Sequence, residues 1–164
     1  MKQIQSKIIF DLDKLVSIVN HYKDSGYKIV TANGAFDLIH AGHLNFILKS
    51  KEQGQMLIVS VNTDEYIRDV KGKEPIVSLI DRCLMVAALE AVDFVTAQER
   101  GNPSYIIEAI KPHVHCIGSN FAPNPPELPS INKVGAIACY IDRMGQSTTD
   151  IVNKIKGGNK NNDT

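Results

Sequence analysis

The sequence predicts an α/β domain of three layers, with helices on both faces of a five-stranded parallel sheet. Three observations lead there. Five short runs rich in β-branched residues alternate with segments of helical periodicity, and that alternation implies parallel strands joined by right-handed crossovers. One of these runs, MLIVSVN at 56–62, is nearly all apolar, as a strand covered on both faces must be. The 164 residues, 43% apolar and 22% charged, suit one ordinary globular domain able to bury a proper core.

The elements follow in order. Leu12, Leu15, Val16, Val19 and Tyr22 recur at helical spacing between Asp11, a candidate N-cap, and Gly26, a candidate C′ residue. YKIVTAN at 27–33 is the first strand. Leu44, Ile47 and Leu48 give the next helix one apolar side, and Gly54 ends it. After MLIVSVN comes a helix from Ser78 to Val92, opened by capping-box spacing between Ser78 and Asp81. FVTA at 94–97 is the third strand, and Pro103–Lys111 suits a helix with proline in its first turn. HVHCIG at 113–118 and AIACYI at 136–141 are the last two strands. STTDIVNKIK at 147–156 is a final helix, again with capping-box spacing, from Ser147 to Asp150. The expected organisation is a single domain over 1–156, with 1–26 as an N-terminal helical extension. The polar, Gly/Asn-rich 157–164 is expected to be a disordered tail. Such a Rossmann-like sheet binds ligands at the carboxyl ends of its strands, near the point where strand order reverses.

Charge narrows the partners. Lys+Arg and Asp+Glu both number 18, so the formal charge is zero. That argues against bulk attraction to nucleic acid or an anionic membrane, while leaving room for a local basic pocket; neither nucleic acid nor membrane is expected as a partner. The opening MKQIQSKIIFDLDKLV has no long apolar stretch with a cleavage site, and no run is long enough to span a bilayer. Cys83, Cys116 and Cys139 are odd in number and far apart, which fits reduced thiols in a cytoplasmic protein.

Several chemistries lack their motif. The first strand-to-helix turn offers only Gly34 and Gly42, so it has no G-x-G-x-x-G fingerprint; there is also no P-loop and no G-x-S-x-G elbow. What the turn does hold is His40-Ala41-Gly42-His43. Metal ligation is one possibility, with His113, His115 and Cys116 as further ligands. Zinc helices, however, space their histidines one turn apart around a glutamate, and neighbours on a strand face opposite ways. Helix capping is another. Phosphate binding fits the pattern better. A helix starting near Ala41 presents free N–H groups and a partial positive charge to an anion. Gly42 permits close backbone approach, and two imidazoles can donate hydrogen bonds to charge that develops during transfer.

These residues carry a resemblance. NGAFDLIHAGHLNFILKSKEQG followed by LIVSVNTDE, with VKGKEPI, DRCLMVAALEAVD and GQSTTDIVNKI in order, resembles the nucleotidyltransferase superfamily whose signature is H-x-G-H after G-x-F-D. The match runs from about residue 28 to 156. It lies in the cytidylyltransferase-like branch, nearest the adenylyltransferase domain of bacterial ADP-heptose synthesis. The resemblance implies transfer of a nucleoside monophosphate, AMP from ATP, to a sugar 1-phosphate such as heptose 1-phosphate, with release of pyrophosphate. A cytidylyltransferase for glycerol 3-phosphate and a non-catalytic nucleotide-binding regulatory module are the alternatives. It further implies Mg²⁺ carried on the triphosphate, a homodimer, and a stand-alone transferase or one working beside a separate kinase.

By the same resemblance, His40 and His43 stabilise the triphosphate in the transition state. The turn Gly34, Ala35, Phe36 and Asp37, with Asn33, Gly42, Gly118 and Asn120, lies against the nucleotide. Lys51, with Lys49 as a neighbour, contacts phosphates from the helix. Arg82 either snorkels beside a partner such as Asp81 or reaches the phosphates. Lys71 and Lys73 around Gly72 form either a solvated loop or a substrate-closing one. Ser147, Thr148 and Thr149 cap the last helix or offer hydroxyls and N–H groups to phosphate. Three positions depart from the family pattern: Asn120 stands where an acidic residue is usual, Glu74-Pro75 where Arg-Pro is common, and Asp142 with Arg143 where the cytidylyltransferases place arginine. The first of these bears on sugar recognition, because an amide is a weaker acceptor than a carboxylate and also donates.

Overall fold

The computed structural model describes residues 2–99, 102–142, 144–145 and 147–158. Five parallel strands form one sheet: β1 (Ile29–Gly34), β2 (Met56–Asn62), β3 (Phe94–Gln98), β4 (Val114–Gly118) and β5 (Ile137–Ile141), in the order β3-β2-β1-β4-β5. The order reverses between β1 and β4, where Thr31 stands beside His115 and Ala32 beside Cys116. The fold expected from the alternating pattern is therefore the fold observed.

Side chains alternate along each strand, and the two larger core clusters follow that alternation. Val30, Ala32, Leu57, Val59 and Val61 face one way, onto α3 (Ala41–Lys51) and α5 (Leu79–Ala87). Ile29, Met56 and Ile58 face the other way, onto α2 (Leu12–Asp24) and α6 (Ser104–Ile110). Alternation with period two is what a strand buried on both faces requires. Residues 1–26, expected as a helical extension, supply the first helix of that second layer: Leu15 and Val19 are fully buried in it. Asp11 caps α2 by accepting from the Lys14 N–H at 3.0 Å, and Gly26 follows with φ +83°.

Several boundaries moved. The helix expected over 78–92 ends at Ala87 and is followed by tight turns, Leu89 N–H to Val86 O and Val92 N–H to Leu89 O, both 3.1 Å. The cause lies in Asp93. Its N–H donates to Leu57 O at 3.0 Å and its Oδ2 accepts from Leu57 N–H at 2.7 Å, so the chain must turn sharply to bring it beside β2. Pro103 occupies the cap position just before α6 instead of its first turn. α1 (Lys2–Gln5) opens the expected helical extension, whereas α4 (Asp64–Lys71) and α7 (Leu128–Val134) were not expected. Thr63 caps α4 through its hydroxyl at 3.2 Å from the Tyr66 N–H, and Gly72 closes it at φ +61°. The last helix, α8 (Thr148–Gly158), extends over the first two residues of the expected tail; 159–164 lie outside the described residues. Among the described residues no helix is long and apolar enough to cross a membrane.

Candidate active site

The turn from β1 into α3 is built around two rings and two missing side chains. His40 is the N-cap of α3, with extended backbone, and its Nδ1 accepts from the Gly42 N–H at 3.1 Å. Because Nδ1 accepts, the ring of a neutral His40 carries its proton on Nε2. The His40 and His43 rings stack at 3.9 Å and 27°, and Phe36 lies against His43 at 5.2 Å. Capping and site-building are thus not alternatives for His40; one nitrogen caps the helix while the ring stacks on its partner.

Phe36 holds a left-handed backbone at φ +48° and is buried. Its ring is so close to Gly34 that a Cβ there would lie 2.9 Å from Cε2. At Gly42 a Cβ would meet Met144 O at 2.5 Å and the His40 ring at 2.9 Å. Gly42 therefore admits the protein's own chain ahead of α8, a reason for glycine that nucleotide approach alone did not supply.

Two adjoining cavities open at the carboxyl ends of the strands, as expected for a sheet whose order reverses there. The larger, about 400 Å³, is lined by Asn33, Gly34, Phe36, His40, Gly42 and His43, and across from them by Gly118, Asn120 and Asp142. The smaller, about 300 Å³, is lined by Asp37, Lys73, Ser147, Thr148 and Thr149. Ala35 and His43 border both. Ser147 forms the expected capping box: its N–H and Oγ both reach Asp150 Oδ2 at 2.7 Å, and its Oγ accepts from Asp150 N–H at 3.2 Å.

Other expected residues have different employment. Lys51 does not reach either cavity. It stands eight residues beyond His43 on α3, roughly 12 Å along the axis at 1.5 Å per residue, and its ammonium bonds Gln55 O at 2.7 Å and the Asp93 carboxylate. Lys49 pairs with Glu52 at 3.0 Å on the exposed face. Arg82 lines neither cavity and does not snorkel to Asp81. It is fully buried, donating from Nε to Val77 O at 2.9 Å, from Nη1 to Ala35 O, and from Nη2 to Asp64 Oδ1 at 2.6 Å. Asp37 borders the smaller cavity, but its Oδ1 accepts from the N–H groups of Ile76 and Val77 at 2.8 and 2.9 Å. Arg82 and Asp37 together fasten the Ala35–Asp37 turn to the segment before α5.

Glu74 is exposed and holds Arg68, its two oxygens 2.7 and 2.9 Å from Nε, so its charge is partnered away from the cleft. Lys71 ends α4; its side chain and Arg143 lie outside the described residues. Asn62, Tyr66, Phe121 and Glu127 line the larger cavity and were not anticipated. Asn62 had a legible signal, being the polar residue that ends a nearly all-apolar strand. Glu127 had none, since it follows a proline-rich stretch read as loop.

The sheet order, the cleft at its reversal and the paired histidines at a helix start define a nucleotidyltransferase-type α/β domain. Comparison gives the family. A family model described as cytidylyltransferase-like matches residues 31–154, and the chain belongs to that family. It is 34% identical over 155 residues to the bifunctional protein HldE of Geotalea uraniireducens, and 38% over 154 residues to that of Helicobacter hepaticus. These alignments take in 92% and 93% of the chain but 31% of each relative, so the chain spans about a third of their length. Among solved structures it resembles a lipopolysaccharide core biosynthesis protein from Thermoplasma volcanium, with TM-score 0.63 and 28% identity. That match covers 74% of this chain and 100% of the other. A pantoate-beta-alanine ligase from Francisella tularensis shares the fold, with TM-score 0.61 and 15% identity, over 92% of this chain and 77% of the other.

Proposed function

We propose that the chain transfers the AMP moiety of ATP to a sugar 1-phosphate such as heptose 1-phosphate and releases pyrophosphate. The observation that carries this is the convergence of His40, His43 and the start of α3 on one cavity, with Lys73 and the Ser147–Thr149 hydroxyls on the adjoining one. The reaction asks little covalent chemistry of a protein. An ionised sugar phosphate is already a nucleophile, so the work lies in holding it in line with the α-phosphorus and stabilising spreading charge. In this reading Asn33, Gly34, Ala35, Phe36, Gly118 and Asn120 border the nucleotide. The imidazole protons and the α3 amides face the transferred phosphoryl group, and Lys73 with Ser147, Thr148 and Thr149 receives the leaving pyrophosphate.

Mg²⁺ accompanies the triphosphate as part of the substrate. Among the described residues no group of three or more His, Cys, Asp or Glu converges to cage a metal, and Asp37 already accepts two backbone N–H groups. That chemistry fits an ion held by phosphate oxygens and water. The HldE relatives and the lipopolysaccharide-related structure support a sugar acceptor. The same reading makes the protein a cytoplasmic homodimer.

The test is pyrophosphate release with ATP, CTP, GTP or UTP, Mg²⁺ and a panel of sugar and polyol phosphates. ATP with heptose 1-phosphate is expected to be fastest, and His43→Ala to lower kcat by about 10²-fold or more. Fastest release with CTP and glycerol 3-phosphate would make it a cytidylyltransferase. Nucleotide binding without release for any pair would make it a regulatory module.

A further inference from the structure

Glu127 occupies the cap position of α7, yet its side chain makes no capping bond. The residue is only 5% exposed and lines the larger cavity. Its Oε1 stands 3.8 Å from His115 Nε2, beyond hydrogen-bond reach, while the other nitrogen of that ring is 2.8 Å from Thr31 Oγ1. Among the described residues no hydrogen bond reaches the carboxylate. Asn62, 5% exposed and on the same cavity, has a buried Oδ1 with no hydrogen-bond partner among the described residues. Tyr66 borders the cavity too; burial and then the Glu127 charge raise its pKa, so the phenol stays protonated.

An acceptor buried without a donor costs about 1–3 kcal/mol; Asn62 Oδ1 is one, and it shares the cleft with a Glu127 carboxylate that no hydrogen bond among the described residues reaches. They call for a ligand rich in O–H donors. A nucleobase would need a stacking plane and a mixed donor–acceptor edge. Phe121 offers such a plane after β4 beside Asn120, whereas Glu127 and Asn62 offer acceptor oxygens.

We propose that Glu127, assisted by Asn62, binds the sugar hydroxyls of the acceptor phosphate ester. This rests on the transferase reading above. It also accounts for Asn120: the carboxylate missing there is supplied from Glu127, delivered by the proline-rich segment before α7.

The test is steady-state kinetics on the full chain with ATP and heptose 1-phosphate, alongside calorimetric binding of heptose 1-phosphate. Glu127→Gln keeps the shape and removes the charge. It is expected to raise the KM for heptose 1-phosphate about tenfold or more, with the ATP KM within about twofold, and Asn62→Leu to act in the same direction. Glu127→Asp should recover part of the loss. An unchanged sugar KM, or a rise confined to ATP, overturns the assignment while leaving the transferase reading intact. If the unaltered protein neither releases pyrophosphate nor binds heptose 1-phosphate, both fall together.

Discussion

Arg82 Nη2 lies 2.6 Å from Asp64 Oδ1, and the arginine has no exposed surface. Its other donors go to Val77 O and Ala35 O, so one side chain ties the first residue of α4 to the turn that carries Phe36 and Asp37. A buried guanidinium that loses its carboxylate is an uncompensated charge. Asp64→Leu should therefore destabilise the fold by about 3 kcal/mol, near the low end for a buried pair because Asp64 is partly exposed. Arg82→Lys should lose the planar fork and lower Tm by several degrees. In both variants the fall in nucleotide affinity should accompany the fall in Tm. A variant with unchanged Tm and greatly reduced kcat would instead put Arg82 on the substrate.

Lys51 gives the converse expectation. Its ammonium holds the Asp93 carboxylate and Gln55 O at the far end of α3, with the pair about one-third exposed. Solvent screening limits such a pair, so Lys51→Met should cost about 1 kcal/mol or less and leave kcat and both KM values nearly unchanged. A large loss of kcat at unchanged stability would return Lys51 to the active site.

How much was readable beforehand follows from these two residues. Periodicity places both on helices, and it gave the strands, their burial and the cleft at their ends. It does not say which end of a helix meets the cleft, and Lys51, assigned to phosphates by the resemblance, stands at the end of α3 and lines neither cavity. Nor does it distinguish an arginine that reaches substrate from one folded under a turn, since the partners, Ala35 O and Asp64, are distant in sequence. Lys73 and the Ser147–Thr149 stretch, assigned by the resemblance to substrate and nucleotide respectively, border one cavity. Glu127 was out of reach because only the tertiary fold carries it back over β4.

His40 serves twice, and its two roles separate by substitution. Asparagine is among the best N-caps, whereas alanine is poor. His40→Ala should lose about 1 kcal/mol of cap stability together with turnover. His40→Asn should recover the Tm and still turn over slowly, because the shorter amide cannot place an N–H donor where the imidazole Nε2–H stands. Thermal melts and single-turnover rates on both variants check this. Full activity in His40→Asn would reduce the histidine to a cap.

Gly42→Ala probes the closure of the chain over α3. The added Cβ would stand 2.5 Å from Met144 O, a backbone atom that moves only with its segment. The expected outcome is a loss of about 1–3 kcal/mol by overpacking, with weaker ATP binding because Ser147–Thr149 follow directly after that segment. Ala41→Gly, one residue earlier, should leave ATP binding nearly unchanged.

Two buried thiols predict a loss of stability in alkali. Burial pushes the Cys83 thiol up to about 11 and the Cys116 thiol up to about 12, from an ordinary value of 9.0. Between pH 9 and pH 11 the unfolded chain gives up these protons while the folded chain keeps them. The unfolded state then binds fewer protons, and ΔG of unfolding falls as pH rises, by up to about 1.4 kcal/mol per pH unit for each thiol. Below pH 9 both states are protonated and the contribution is level. Denaturant melts at pH 8, 9, 10 and 11 should show this decline. Cys116→Ala should flatten its share of the slope, after allowing for a uniform loss from the small cavity left behind. A slope unchanged by that substitution would mean that groups other than Cys116 drive the alkaline loss.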